Sequence, residues 1–249
     1  MTDRLTLRGT ATALPGWFDG QFRSMALEAG AVERVFPASI PGATLRRAGF
    51  FDAFPDGASP AGAGAPADSF RPPAVCYHAY AALAGGVLET PILLTAAQTC
   101  FRDADRGSDD DARLWQFTMR EIVFVGAGPW VAEQRSTWTR RARAFAERLQ
   151  LEAAVEPATD PFFGDVSRGR RLIQQLKHLK DELRLAAGPR TIAAASFNSH
   201  ETFFGSRFGL TLGDGTVAHS GCAAFGLERW TLAFLAQRGE DAAAALLKG

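Results

Sequence analysis

The sequence predicts an α+β fold, a mixed and mainly antiparallel sheet flanked by helices. Three observations carry that prediction. Residues 114–126, LWQFTMREIVFVG, alternate and then run apolar, as a central strand with one wet face does. Strand-like runs are many, while strand–helix–strand alternations of the kind that build parallel sheets are few. Asp214-Gly215 lies between two such runs and is a hairpin dipeptide.

The remaining elements follow in order. Residues 5–13 are a candidate short strand, followed by a turn-like Pro15-Gly16. Residues 18–31 have helical spacing, with Phe18, Phe22, Met25, Ala26 and Ala29 on one side. Residues 32–40 read as a strand ending at Pro41, and 44–51 as a short helix. The low-complexity run 57–68, GASPAGAGAPAD, is a loop. Apolar structure resumes at once, so the chain reads as one domain over 1–249 with a flexible loop near 57–70. A domain linker is the alternative. Residues 75–80 are short and apolar enough for a strand, with Cys76 inside it, and 91–100 form another. Residues 129–154 predict a long amphipathic helix with Trp130, Trp138, Ala142, Phe145 and Leu149 on its buried stripe. Its arginines read as a solvated face. Residues 157–164 are turn-rich, and 170–183 fit helix and strand equally. Strands are expected at 183–185, 191–197 and 217–223, with 201–212 continuing the sheet. A helix over 227–238 and an Ala-rich helical tail over 240–248 close the chain.

Composition excludes several function classes. With 27 basic and 27 acidic residues the net charge is zero, so there is no global cationic field for nonspecific nucleic-acid binding. No apolar run reaches the ~18 residues of a membrane span, and no membrane partner is expected. The N-terminus is charged early and has no apolar core of a signal peptide. Three cysteines are too few and too odd for a disulfide framework, so the protein is expected to be cytoplasmic and reduced.

Two polar features stand out within apolar surroundings. Arg120-Glu121 interrupts the 114–126 strand, which is costly unless the pair faces a ligand or forms an internal ion pair. Arg102 closes the strand before it, and Gly226-Leu227-Glu228-Arg229 opens the last long helix. The plain reading of each arginine is a surface ion pair, worth little.

Together these stretches resemble motifs 2 and 3 of class II aminoacyl-tRNA synthetases, Arg102 as the motif 2 arginine and Gly226–Arg229 as the G-x-E-R of motif 3. The resemblance sharpens to the amino acid:[carrier protein] ligases, truncated relatives of seryl-tRNA synthetase. It is carried by AGFFDAFP from Ala48, AVCY from Ala74, Cys100-Phe101-Arg102, Met119-Arg120-Glu121, DPFFG from Asp160, Ser196-Phe197-Asn198 and AHSGC from Ala218. Residues 18–40 take the place of motif 1, which implies a homodimer.

The resemblance implies that Cys76, Glu121 and Cys222 bind Zn2+, leaving one position open to grip a substrate α-amino group. The alternative is two buried cysteines and an ion-paired glutamate. Cys100 reads as ordinary core, and none of the four histidines shows metal-ligand spacing. For ATP, the implied roles are Arg102 on the α-phosphate, Arg229 near adenine and the γ-phosphate, Phe117 on an adenine face and Arg113 as a phosphate clamp. Asn198 is a candidate for ribose or Mg2+, and Asp160 for a second carboxylate near the amine; both residues are also common in turns. One departure is plain: the R-x-E of motif 2 reads Arg102-Asp103-Ala104, with Asp105 as the nearest substitute for the glutamate.

The implied activity is adenylation of a small amino acid (glycine, alanine or serine), then transfer to the phosphopantetheine thiol of a carrier protein. A chain of 249 residues leaves no room for a tRNA-binding coiled coil or anticodon domain, so no tRNA is expected. The alternatives are transfer to another acceptor and a non-catalytic amino-acid-binding paralogue. The missing glutamate favours the last, and the retained Cys76, Glu121 and Cys222 oppose it.

Overall fold

The computed structural model describes residues 7–106, 112–158 and 179–248. A sheet of seven strands runs through it. Its strands are β1 (Val32–Glu33), β5 (Ile92–Phe101), β6 (Gln116–Gly126), β11 (His219–Gly226), β9 (Arg190–Glu201), β8 (Lys180–Ala187) and β7 (Ala153–Pro157), in that spatial order. Only the β1–β5 pairing at the edge is parallel; every other neighbour pair in the sheet is antiparallel. The expected fold class is therefore the observed one. Two short ribbons lie outside this sheet: β2 (Ile40–Pro41) with β3 (Ser69–Phe70), and β4 (Val87–Leu88) with β10 (Thr211–Leu212).

One face of the sheet is sealed by helices α1 (Leu14–Glu28), α5 (Gly128–Arg148) and α7 (Leu227–Leu246). Their apolar stripes meet Ile122, Phe124, Phe197 and Phe225, the inward residues of the central strands. Phe22 stacks on Phe225 with ring centroids 4.1 Å apart, and Phe18, Phe145 and Trp230 pack around it. The opposite face is covered over only part of its area, by α4 (Cys76–Leu83) and α6 (Phe203–Phe208). Between them they bring Tyr77, Tyr80, Phe204 and Phe208 onto Val123 and Val125.

Several sequence readings shift. Pro15 sits in the first turn of α1, where a missing N–H costs nothing, so the helix begins at Leu14 and not after the Pro-Gly pair. Residues 9–13 are a short 3-10 helix in place of a strand. The expected 32–40 strand is two separate short ones. Residues 75–80 are not a strand: Cys76 opens helix α4, whose first five residues are all buried and so show no polar-apolar period to read. Helix α5 stops at Arg148, and Gln150 takes a left-handed conformation (φ 55°) that turns the chain into β7. Residues 203–208 are helical, interrupting the expected continuation of the sheet. The last helix kinks at Gly239 (φ 76°), which joins the two helical segments read from the sequence.

Gly221, on β11 beside Cys222, allows two strands and a ring to meet. A Cβ there would lie 2.5 Å from the Asn198 carbonyl oxygen and would collide with the Phe124 ring. Gly221→Ala is expected to destabilise the protein by about 1–3 kcal/mol, the usual range for overpacking, as measured by urea unfolding. An unchanged midpoint would refute this packing account.

Candidate active site

Register builds the site. On β6 the side chains of Phe117, Met119, Glu121 and Val123 share the partly open face, since alternate residues along a strand do so. Pairing places Glu121 opposite Ala96 on β5 and Ala224 on β11. Val123 lies opposite Cys222, and Cys222 opposite Asn198 on β9. Ala224 faces Ser196, which faces Glu182 on β8, while Asn198 faces Lys180. Small residues at 194, 224 and 226 leave a trough beside these rows.

At one end of the trough, Cys76, Glu121 and Cys222 come together. One ligand atom from each lies within 4.8 Å of the others, and all three residues are buried. Sequence distances of 45 and 101 residues separate them, yet α4, β6 and β11 deliver them to one point. Glu121 accepts backbone N–H bonds from Val75 (3.3 Å) and Cys76 (3.1 Å), so the start of α4 is fastened to the sheet by this carboxylate. The Asn198 amide donates to the Cys222 sulfur at 3.4 Å.

The electrostatics follow from crowding. Burial pushes the Glu121 carboxyl up to about 7 against its hydrogen bonds from Cys76 and the backbone. The Cys222 neighbour first, then burial, then Glu121, drive the Cys76 thiol far above its ordinary value. Three buried groups that can all become anions suit a soft divalent cation, with two sulfurs and one oxygen as donors. Around tetrahedral zinc such donors sit roughly 3–4 Å apart, from metal–ligand distances of about 2.0–2.3 Å, so the cluster fits a zinc ion with a small contraction. Cys100 is buried outside the group and bonds the Gln98 carbonyl at 3.7 Å, as core.

At the other end lies an open cleft. Arg102, Phe117, Glu228 and Arg229 line it, with Met119, Ala224 and Ser196 on its floor. The Arg102 guanidinium sits over the Phe117 ring at 5.1 Å. Arg229 donates to the carbonyls of Ala112 (2.8 Å) and Ala193 (2.9 Å), which hold its side chain across the cleft wall. Glu228, also on the cleft wall, accepts from the Thr118 N–H at 2.8 and 2.9 Å, docking α7 onto β6.

Other expected site residues stand apart. Arg113 is largely exposed, does not line the cleft and lies 3.8 Å from Asp105. Asn198 does not line the cleft either; it faces Cys222. Asp160 lies outside the described residues. Arg120 points to the helix-covered face, where it pairs with Asp19 (2.5 Å) and reaches Glu33 (3.5 Å) and Thr95 (3.2 Å). Arg120 thus forms an internal ion pair on the helix-covered face, while Glu121 points to the other face, toward Cys76 and Cys222. Lys180 and Glu182, paired at 2.9 Å, line the cleft and were missed. Their alternation within the polar start of β8 was the available signal.

Asp103, beside Arg102, anchors the loop. It accepts from Trp115 Nε1 (2.7 Å), Arg106 (3.0 Å) and Ser59, which ties the 57–68 segment to the cleft rim.

Comparison with known proteins gives the site a context. No protein-family model matches the chain. Amino acid–[acyl-carrier-protein] ligases 1 and 2 of Bradyrhizobium diazoefficiens are each 37% identical to it over 183 residues, 72% of this chain. The chain is a homologue of these ligases. It spans 56% and 54% of their lengths. Seryl-tRNA synthetase from Pyrococcus horikoshii, solved in complex with ATP, superposes with a TM-score of 0.78 over 98% of this chain and 56% of its own, at 15% identity. That likeness establishes a class II synthetase fold.

Two histidines border the metal-type cluster. His200 Nδ1 bonds the Tyr80 hydroxyl at 3.0 Å, and His78 stacks on Phe36. Burial draws their imidazoles down to about 3 and about 4. Because these values lie below the ordinary value near 6.5, the unfolded chain takes up the protons first, and stability is lost as pH falls from about 6.5. His200→Gln is expected to flatten the fall in unfolding free energy between about pH 6.5 and 4. Equal slopes for variant and wild type would refute this.

Proposed function

We propose that this chain is an ATP-dependent, adenylate-forming ligase that activates a small amino acid and passes it to the phosphopantetheine thiol of a carrier protein. One observation carries the reading. A buried Cys-Glu-Cys group and an arginine-lined cleft lie on one face of the sheet, and Ala224, the cross-strand neighbour of Glu121, lines the cleft. Similarity to the Bradyrhizobium ligases supports an amino acid substrate and the carrier-protein acceptor; glycine, alanine or serine is the choice the motif resemblance implies.

Cys76, Glu121 and Cys222 would hold Zn2+, which would supply an open Lewis-acid position for a free α-amine. The trough then directs the substrate carboxylate toward the cleft. Arg102 holds α-phosphate oxygens and, with Phe117, frames the adenine side; Arg229 lies at adenine and the γ-phosphate. Mg2+ bound with ATP would supply neutralisation of the remaining phosphate charge. A carboxylate oxygen attacks the α-phosphorus, the bond to the bridging oxygen of the β-phosphate breaks, and pyrophosphate leaves. The carrier thiolate then attacks the acyl carbon and AMP departs. The protein contributes position and fixed charge in this scheme. Arg113 joins as a phosphate clamp by exchanging Asp105 for phosphate, and Asp160 is the second carboxylate near the amine. Residues 1–249 act as one catalytic domain. Homodimerisation through the motif 1 segment is supported by Val32 and Val35, 50% and 93% exposed at the sheet edge.

A second reading, a non-catalytic amino-acid-binding paralogue, is favoured by Ala104 at the motif 2 glutamate position and by Asp105 facing Arg113. Amino-acid-dependent pyrophosphate exchange separates the two. The wild type is expected to exchange with one or more small amino acids, and failure with all of them overturns the ligase reading. Arg102→Ala should lower exchange by about 10²–10³-fold, the cost of losing one preorganised charge at the reacting centre. Cys222→Ala should lose both bound zinc and exchange; wild-type exchange in that variant removes the metal from the scheme.

A further inference from the structure

We infer that Asn198 is a positioning residue of the Cys76–Glu121–Cys222 centre, holding the Cys222 sulfur through an N–H···S hydrogen bond, and is not a nucleotide ligand. The inference rests on the zinc reading proposed above. Its geometry is local and specific. Asn198 is the direct cross-strand partner of Cys222 in the β9–β11 ladder. The absence of a side chain at Gly221 permits the close approach, because a Cβ there would meet the Asn198 carbonyl at 2.5 Å. From that position Nδ2 reaches Cys222 Sγ at 3.4 Å and Ser196 Oγ at 3.3 Å. Ser196 lines the cleft and Asn198 does not.

The chemistry explains why a donor belongs there. Two thiolates and a carboxylate bring a formal charge of −3 to a dication. N–H donors aimed at the ligands spread the surplus charge and fix each ligand's direction. Glu121 already receives two such donors, the backbone N–H groups of Val75 and Cys76. For Cys222 the Asn198 amide plays the equivalent part. The same bond ties the metal end of the trough to its cleft end, since one amide touches both Cys222 and Ser196.

The test uses the purified full chain and two variants. Asn198→Asp keeps the shape and removes the N–H donor; Asn198→Ala removes the group. Zn2+ affinity is read by chelator competition. Co2+ is the spectroscopic probe, through its sulfur-to-cobalt charge-transfer band, and ATP binding is followed by calorimetry. Both variants are expected to weaken Zn2+ by about 10–100-fold and to shift the cobalt band, with ATP affinity unchanged. Unchanged metal affinity and an unchanged band in variants that melt like the wild type overturn the inference. So does a loss of ATP affinity with the metal site intact, which would make Asn198 a nucleotide ligand. If the wild type binds neither ion, the zinc reading falls and takes this inference with it, an outcome distinct from unaltered variants of a metal-binding wild type.

Discussion

The pairing register of β6 with β11 is the constraint on which the rest depends. Side chains along a strand alternate between faces, so a slip by one residue would turn Glu121 into the helix-packed face and bring Arg120 into the trough. Two independent sets of contacts resist such a slip. On the sealed face Ile122, Phe124, Ala223 and Phe225 are fully buried against α1, α5 and α7. On the other face Glu121 is bonded to the first turn of α4. A shifted register would expose the first set and orphan the second, leaving a buried carboxylate without its donors.

Arg120 adds an ionic lock on the same strand. Its guanidinium, 3% exposed, meets Asp19 from α1 and Glu33 from β1, and Glu33 is in turn gripped by Arg23 with bonds of 2.6–2.9 Å. The chain of alternating charges gives the buried guanidinium partners in place of a solvent shell, at the cost of removing several groups from water. Its structural effect is to fasten the first helix and the edge strand to the strand that carries Glu121. The site's geometry is therefore set from the face that does no chemistry.

Much of the framework was legible because it has period. Strands β5, β6 and β11 and helices α1 and α7 show an apolar run or an apolar stripe; Glu121, Cys222 and Arg229 fall on them, and Arg102 directly follows β5. What was not legible lacks period or depends on distant partners. Helix α4 is buried all round at its start, so CYHAY reads equally as a strand, although Cys76 still lies beside Glu121 and Cys222. The role of Asn198 depends on which residue lies across from it on β11, a fact of tertiary register. Lys180 and Glu182 were missed because β8 begins polar, and only the fold reveals that its alternate residues border the cleft.

The divergence at motif 2 also acquires a physical form. Where the family pattern has a glutamate, this chain has Ala104, and the adjacent acid, Asp103, is fully engaged by Trp115, Arg106 and Ser59. Burial alone would raise the Asp103 carboxyl, but those three donors together hold it below its ordinary value. An ionised Asp103 thus clamps the loop beside Arg102 and joins it to the 57–68 segment. Trp115 is flanked by Arg106 at 4.5 Å and Arg71 at 4.9 Å, so the clamp is stiffened by stacking as well as by charge. The acid in this stretch fixes the backbone that presents Arg102 to the cleft. On the ligase reading, preorganisation of that arginine is the part of motif 2 the chain has kept, and direct recognition of the base by a carboxylate is the part it has given up.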